Sequence, residues 1–292
     1  MGIAGSALVG VSVAGAVGWV SLSLIDQVVL VGFAVVLPIV IGELRWWWAA
    51  AVAVAAVSFL LPRGWAAIAV GPLAVACAAV VAQRVRAAGS SSVWNVQVAA
   101  EALALLYGLV AAMALLQSRS GVVVFDVHEP FVELTAVHYT FAGSGALYLA
   151  ARCVDRRSGS QLARRGVLIT AAAPPIVALG FVTRAAVPQV GGAILMTVGV
   201  WITATLQLNE ALRSGASHVV AVLLFISGVA IWAPMTLAVA WAAGQHWNVP
   251  MLSVHDMART HGLVNAFAFV ICGLIARRLT VSEGLVPDEV AA

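Results

Sequence analysis

The chain carries ionisable and hydroxyl side chains in two short clusters within very apolar sequence. The first cluster opens one apolar stretch and consists of Asp126, His128, Glu129, Glu133, Thr135 and His138. The second opens the last apolar stretch and consists of His255, Asp256, Arg259, Thr260 and His261. Carboxyl and imidazole groups transfer protons and bind metal ions, and burying them in hydrocarbon is unfavourable unless they are paired. The two clusters are therefore the predicted functional regions.

The first cluster presents two faces of a helix. Glu129 and Glu133 are four residues apart and share one face. His138 follows Glu133 by five residues, which places it about 140° round the helix, and Thr135 shares the face of His138. Glu133 and His138 are thus predicted to line a cavity from two sides. The residues before Glu133 fit a solvated loop equally well, and hydrogen bonds between helices would also satisfy Glu133 and His138.

The second cluster continues into a helix with one polar face. His261 and Asn265 are four residues apart and share that face. We expect His261 to face the same cavity as His138. Arg259 lies near the predicted membrane surface, where its long side chain can carry the charge to the interface.

Further polar positions lie inside other apolar stretches. Glu101 shares a helical stripe with Trp94 and Gln97, and a poorly solvated carboxyl there can act as a proton donor. A hydrogen bond between helices explains Glu101 equally well. Another stripe contains Thr197 and Trp201 and is also compatible with simple packing.

These positions divide into predicted roles. The predicted catalytic residues are Glu133, His138, Glu101 and His261. The predicted substrate contacts are Thr135, Asn265, Trp94, Gln97 and Trp201. An alternative metal site, for zinc or iron, would draw its ligands from His128, Glu129, His138, His255, Asp256 and His261. The spacing matches no HExxH or histidine-box motif, and the three cysteines are isolated in sequence.

Composition determines the class of protein that must position these residues. The chain is 63% hydrophobic and only 9% charged, whereas a soluble domain carries about 25% charged residues. Its mean hydropathy is +1.04. About ten apolar stretches approach the length of a membrane span; they cover 5–22, 27–42, 47–61, 65–82, 94–116, 131–151, 166–183, 187–206, 217–242 and 259–276. The sequence pI near 9.1 indicates no nucleic-acid partner, since arginine in such a chain first sets membrane orientation.

The arginines divide unevenly between the two sides that ten spans define. All 15 basic residues are arginines. One side and the C-terminal tail hold eleven of them: Arg45, Arg84, Arg86, Arg152, Arg156, Arg157, Arg164, Arg165, Arg213, Arg277 and Arg278. The other side holds Arg63, Arg119, Arg184 and Arg259. Because arginine concentrates in cytoplasmic links, both termini are predicted to be cytoplasmic, and both polar clusters fall at the outer face.

The predicted fold is therefore an all-α integral membrane protein of the cell membrane. It forms a bundle of about ten transmembrane helices. Residues 1–280 make a single polytopic transmembrane domain, and residues 281–292 make a short acidic cytoplasmic tail.

Three functions fit these residues. The first is acid–base chemistry without a cofactor on a lipophilic small molecule, such as cyclisation or isomerisation of a prenyl or terpenoid chain. The second is metal-dependent membrane catalysis by the imidazole and carboxyl groups. The third is a proton-coupled transporter or sensor, although no internal repeat of the kind found in many transporters is evident.

Two stretches resemble the YndJ-like family of bacterial membrane proteins. They are LTAVHYTFAG at residues 134–143 and ARTHGLVNAFAF at residues 258–269. His138, His261 and Asn265 match motif positions, whereas Thr140 stands where the family pattern has a second histidine. The resemblance implies an integral membrane fold. In outline only, the chain is also similar to small multi-span terpene cyclases, which use membrane-embedded carboxylates to protonate an alkene or epoxide.

Overall fold

The computed structural model describes residues 22–42, 45–90, 95–156, 159–213, 217–247, 249 and 252–282. Within these residues the chain is helical and contains no β-strand, which confirms the predicted all-α class. The long helical segments are α1 (Leu24–Ile41), α2 (Trp46–Leu60), α3 (Trp65–Ser90), α4 (Val96–Ser120), α5 (131–156), α6 (Gln161–Thr183), α7 (Ala186–Ala211), α8 (His218–Trp247) and α9 (Val254–Val281).

Each of these segments coincides with one predicted apolar stretch, while the stretch 5–22 lies almost wholly outside the described residues. Among the described residues, seven helices are long and apolar enough to cross a membrane: α1, α3, α4, α6, α7, α8 and α9. The shorter α2 is apolar as well. The chain is thus a multi-pass membrane protein.

Side-chain caps determine where several helices begin. Before α1, Ser23 and Asp26 form a capping box, in which each side chain accepts a hydrogen bond from the other residue's backbone. The Asn95 side chain caps α4 by accepting from the Val98 amide at 2.9 Å. The α4 helix ends at Gly121, whose φ of 73° is a left-handed conformation that glycine adopts without strain.

The helices fall into two compact units. The first unit comprises Met1–Tyr148 and Phe181–Arg184, and the second comprises Leu149–Gly180 and Ala185–Ala292. The first unit therefore contains α1 to α4 and most of α5. The second contains most of α6 and all of α7, α8 and α9. Composition alone does not show this division.

Small residues bring helices close together in the first unit. A Cβ atom at Gly32 of α1 would lie 2.6 Å from the methyl group of Thr140 on α5. A Cβ atom at Gly143 of α5 would lie 3.0 Å from Cβ of Tyr107 on α4. The absence of a side chain at Gly32 and Gly143 thus permits these close helix contacts.

Wider π-helical turns interrupt α5 and α9 at the two motif stretches. In α5 the π-helical residues are Tyr139–Gly145, directly after His138. In α9 they are Ala258–Gly262 and Val264–Ile271, which include His261 and Asn265. A π turn inserts residues into the α-helical ladder and often marks a functional position. The motif residues thus lie at or beside local departures from regular helix.

Candidate functional site

A poorly exposed ion cluster joins three helix ends in the first unit. Nη2 of Arg119 lies 3.0 Å from Oε1 of Glu133 and 3.6 Å from Oδ1 of Asp26. The three side chains are only 12%, 10% and 16% exposed, respectively. One guanidinium group therefore faces two carboxyl groups, and we call this set the Asp26–Arg119–Glu133 cluster.

The two carboxyl groups of the cluster share one cation. Oε1 of Glu133 lies 3.0 Å and Oδ1 of Asp26 lies 3.6 Å from the same nitrogen, Nη2 of Arg119. With Arg119 at +1, the cluster has no net charge when the two carboxyl groups hold one proton between them and a charge of −1 when they hold none. An uncompensated charge in a poorly solvated place is costly, so the charge balance of the cluster depends on that one proton.

Local structure positions each member of the cluster. The other carboxylate oxygen of Asp26 accepts from the Ser23 amide at 2.8 Å in the capping box. Arg119 lies with its guanidinium 4.4 Å from the ring centre of Phe59, a cation–π contact. Asp26 and Glu133 occupy first turns, and Arg119 occupies a last turn. Each charge therefore complements the dipole of its own helix.

The cluster retains unused hydrogen-bonding capacity. Oε1 of Glu133 and Nε of Arg119 are buried and have no aligned hydrogen-bond partner. The 3.0 Å contact between Glu133 and Arg119 is thus an ion pair without hydrogen-bond geometry. At this point Oε1 can accept a hydrogen bond from, and Nε can donate one to, a water molecule or a substrate group.

The other predicted residues of α5 do not join this cluster. The His138 ring is exposed, and its Nδ1 lies 2.9 Å from the Leu134 carbonyl of its own helix. A carbonyl only accepts, so Nδ1 donates this bond. Thr135 likewise donates to the Phe131 carbonyl, at 2.8 Å. Glu133 is buried and His138 is exposed. A cavity lined by both side chains stays a prediction.

Thr140 has a packing role where the family pattern has a second histidine. Its side chain is fully buried, and its hydroxyl donates to the Ala136 carbonyl at 2.8 Å. Its methyl group faces Gly32 at the close approach between α1 and α5. A larger side chain at this position would require α1 and α5 to move apart or their neighbouring side chains to rearrange.

Glu101 belongs to a separate polar group at the opposite end of α4. It accepts from Arg84 at 2.9 Å and from Gln97 at 3.1 Å. These contacts give the carboxyl two partners and link α3 to α4. Trp94, predicted to share this stripe, lies outside the described residues. Catalysis by Glu101 stays a prediction.

The start of the first sequence cluster is a loop. Asp126 accepts from His128 at 3.0 Å and pairs with Arg184, and all three side chains are more than 60% exposed. The hydrogen bond from His128 and the positive charge of Arg184 lower the pKa of Asp126. Glu129 continues the chain towards α5, where its side chain accepts from the Glu133 amide at 3.2 Å.

In the second unit, predicted residues of α7 and α9 meet one turn of α8. Nδ1 of His261 donates to the Pro234 carbonyl at 2.9 Å, and Asn265 lies against both the His261 ring and the sulfur of Met235. Trp201 stacks on Trp232, with ring centres 4.9 Å apart and an angle of 25° between the planes. Three residues that the sequence predicts for its site thus each contact the same turn of α8.

The remaining residues near this end of the second unit have structural partners. Asp256 accepts from the Ser253 hydroxyl at 2.7 Å at the start of α9. His246 lies 2.9 Å from the side-chain oxygen of Gln189. His255 and Arg259 are exposed. His138 and His261 belong to different units, and their shared cavity stays a prediction.

No preformed metal site occurs among the described residues. No group of three or more His, Cys, Asp or Glu side chains in this part of the chain is arranged to hold a metal ion. The six predicted alternative ligands are instead dispersed: His128 and Glu129 lie in or next to the loop before α5, His138 bonds within its own helix, His255 is exposed, Asp256 caps α9, and His261 bonds to a carbonyl of α8. Their geometry gives the metal hypothesis no support.

Sequence reasoning missed two of the three residues in the ion cluster. Asp26 is the last residue of Ser23-Leu-Ile-Asp26, a capping-box motif before an apolar run. That motif indicates a helix start but not a partner 93 positions further along the chain. Arg119 was assigned only to the outer link by its charge. Their contact arises because α1, α4 and α5 place their ends together.

Long apolar helices and a buried ionisable cluster define a multi-pass integral membrane protein. The chain belongs to the YndJ-like family, whose family model, described as YndJ-like protein, matches residues 20–269. This match includes both motif stretches and confirms the resemblance. No curated protein and no solved structure matches the chain. The looser similarity to terpene cyclases is therefore not confirmed.

Proposed function

We propose that this protein performs proton transfer on a lipophilic small molecule, with the Asp26–Arg119–Glu133 cluster as its acid–base centre. The observation that carries the proposal is that two poorly exposed carboxyl groups share one guanidinium group. Such a set can hold one proton at a place with little water, and a carboxyl group that keeps its proton there is available to a substrate as a proton donor.

The reaction that fits this centre is an isomerisation or cyclisation without oxidation or reduction. The shared proton moves to one carbon of a prenyl alkene, whose π electrons form the new C–H bond and leave a cation at the neighbouring carbon. The carboxylate pair, or a second base, then removes a proton from an adjacent carbon and forms the new double bond. Atoms, charge and electrons balance, and no cofactor is consumed. A proton-donor role for Glu101 and catalytic roles for His138 and His261 belong to the same proposal, although none of these side chains is part of the cluster.

The proposed topology places this centre at the outer face of the cell membrane. About ten spans and cytoplasmic termini follow from helix length and the arginine distribution. The cluster then lies at the outer ends of α1, α4 and α5. A lipophilic substrate would reach it from the membrane.

Proton-coupled transport is the second candidate, and the placement of the cluster favours it specifically. Each member belongs to a different helix, so gain or loss of the shared proton changes the attraction between three helix ends. Intramembrane carboxyl groups serve proton relays in pumps and transporters. The two functions differ in whether the proton reaches a carbon atom or crosses the membrane.

Deuterium incorporation tests the enzyme proposal on a mixture of lipids, so no single substrate has to be chosen. Membrane lipid extract is incubated in D₂O with purified protein, and high-resolution mass spectrometry identifies lipids that gain deuterium at carbon. We expect the wild type to label at least one lipophilic species, and Glu133→Gln and Asp26→Asn to reduce this labelling at least about 100-fold. Asp155→Asn makes the same acid-to-amide change at a pair with Arg152 elsewhere in the chain and is the matched control.

Proteoliposomes carrying a pH-sensitive dye provide the second readout. Proton flux that requires Glu133, without labelling of any lipid, would replace the enzyme by the transporter. If both labelling and flux are absent, or persist unchanged in Glu133→Gln and Asp26→Asn, the cluster is a structural clamp and the proposed function is wrong.

A further inference from the structure

An apolar groove of about 460 Å³ runs between α2 and α3 in the first unit. It lies between residues 46–54 of α2 and 72–83 of α3, and we call it the α2–α3 groove. Alanines leave the space between the two helices, because each contributes only a methyl group: Ala50, Ala51, Ala76 and Ala79. The volume is within the range of small-molecule binding sites. The proton-transfer proposal makes no use of this groove.

The groove opens onto the surface of the helix pair. Val54 is 43% exposed and Val75 is 69% exposed, and Ala79 is exposed as well. All three residues line the groove. In a membrane-spanning unit, exposed apolar surface is in contact with lipid chains. A lipid can therefore enter the groove from the side, without passing through the protein.

The length of the groove matches one half of a membrane. Its α3 side runs from Pro72 to Gln83, a difference of 11 residues. A helix rises about 16 Å over this distance. Half of a hydrocarbon core about 30 Å thick is about 15 Å. The groove therefore accommodates the chain of a lipid from one leaflet.

The groove becomes polar at one end. Gln83 lines that end from α3. Trp46 and Trp47 line it from α2, because the short link 61–64 joins α2 and α3 into an antiparallel hairpin. Tryptophan side chains favour the level of the lipid head groups. This end of the groove thus has the composition of a membrane–water interface.

Positive charge lies just beyond the polar end. Arg86 follows Ala79 by seven residues, or two helical turns, so it lies on the same face of α3 as the groove. Arg86 is exposed, and so is Arg45, which directly precedes α2. Arginine near a membrane surface attracts anionic lipid head groups. The groove thus combines an apolar surface for a hydrocarbon chain with cationic side chains at one end.

We infer that the α2–α3 groove binds one acyl chain of an anionic phospholipid, whose phosphate lies against Arg86 and Arg45. The alanines contact the hydrocarbon chain, and Trp46 and Trp47 lie beside the glycerol. In the predicted orientation both arginines are on the cytoplasmic side, so the lipid belongs to the cytoplasmic leaflet. The inference does not depend on the Asp26–Arg119–Glu133 cluster, which contains no residue of α2 or α3.

Native mass spectrometry of the detergent-purified protein tests the inference with two lipids that have the same chains. Dioleoyl phosphatidylglycerol and dioleoyl phosphatidylcholine are titrated separately, and the fraction of protein that carries one lipid gives each dissociation constant. We expect phosphatidylglycerol to bind at least about fivefold more tightly, the effect of one arginine near an anionic head group. Arg86→Gln should weaken phosphatidylglycerol binding by about fivefold and leave phosphatidylcholine binding unchanged. Arg165→Gln, at an exposed arginine of α6, should change neither.

Two phenylalanine substitutions separate the groove from the rest of α3. Ala78 and Ala79 are both exposed, but of the two only Ala79 lines the groove. Ala79→Phe places a ring in the groove and should weaken the binding of both lipids at least about tenfold, as expected when about two methylene groups lose their contacts. Ala78→Phe is the matched control and should bind both lipids like the wild type.

Equal affinity of the wild-type protein for the two lipids would overturn the inference, and so would equal effects of the two phenylalanine substitutions. A wild-type protein that retains no lipid would overturn it as well, and dimers in the same spectra would then assign the groove to a second copy of the chain. The comparison of the two lipids on the wild-type protein decides the matter even if a variant fails to fold.

Discussion

At the scale of single residues, the two carboxyl groups of Asp26 and Glu133 depend on one guanidinium group for their positive partner. Arg119 is the only cation within 4 Å of either carboxyl among the described residues. Removal of its charge leaves two carboxyl groups without a cation in a poorly solvated place. The stability that each charge contributes depends on the other two, so the effects of substituting them should not be additive.

We therefore predict that Arg119→Met destabilises the protein by about 3 kcal/mol, the usual cost of breaking a buried ion pair. Adding Glu133→Gln to Arg119→Met should recover part of that loss, because the remaining carboxyl then lacks a repelling neighbour. Arg184→Met, which breaks an exposed pair with Asp126, should cost less than about 1 kcal/mol. Thermal unfolding in detergent measures all three, and additive effects of the two cluster substitutions would contradict the coupling.

The sequence could predict a site residue from its own local surroundings, but it could not predict contacts between residues far apart along the chain. Glu133, His261 and Asn265 stood out because polar groups inside apolar stretches need partners. The spacing of these residues along the chain also predicts which face of its helix each one occupies. Asp26 and Arg119 did not stand out, because each lies at a helix end where a charge is ordinary. Only the packing of three helices shows that these charges meet.

At the scale of elements, glycines determine how closely α6 and α7 approach. A Cβ atom at Gly180 would lie 2.4 Å from the backbone nitrogen of Gln189. Backbone atoms cannot move aside as a flexible side chain can. Gly191, two residues further along α7, instead has nothing within 4 Å of the corresponding position. A side chain at Gly180 would thus meet backbone atoms of α7, whereas a side chain at Gly191 would enter open space.

We predict that Gly180→Ala destabilises the second unit by about 2 kcal/mol or more, through overpacking and backbone displacement. Gly191→Ala should be neutral or stabilising by up to about 1 kcal/mol, since alanine favours the helix more than glycine does. Hydrogen exchange of α6 and α7, followed by mass spectrometry, measures both. Equal protection in the two variants would show that the close approach is not a constraint.

The helices themselves were predictable because a membrane imposes one requirement on each of them. Every span must satisfy its backbone within a helix and be apolar over its length, so α3, α4 and α7 are visible as apolar runs. The π-helical residues Tyr139–Gly145 were not predictable, since they change the local hydrogen-bond pattern without changing composition. The division into two units depends on inter-helix contacts and has no signal in one sequence.

At the scale of the whole molecule, the arginine distribution predicts which end of each helix faces the cytoplasm. Two positions in the first unit are sufficient to test this prediction. The α3 helix begins at Trp65, next to the end of α4, where the Gly64 amide donates to the Arg119 carbonyl at 2.9 Å. It continues to Ser90, so Val85 lies about 30 Å further along the helix axis. Val123 lies in the loop that follows α4. The two valines thus mark opposite ends of the unit.

We predict that a membrane-impermeant maleimide labels Val123→Cys in intact cells and labels Val85→Cys only after the cells are opened. The two side chains are 51% and 53% exposed, so their accessibility is matched. The wild-type protein is the blank, because Cys77 and Cys153 are buried and Cys272 is only partly exposed. The reverse pattern would place the ion cluster at the cytoplasmic face, and labelling of both positions in intact cells would contradict a membrane-spanning α3. The expected pattern means that a substrate or proton meets Glu133 from the outer side.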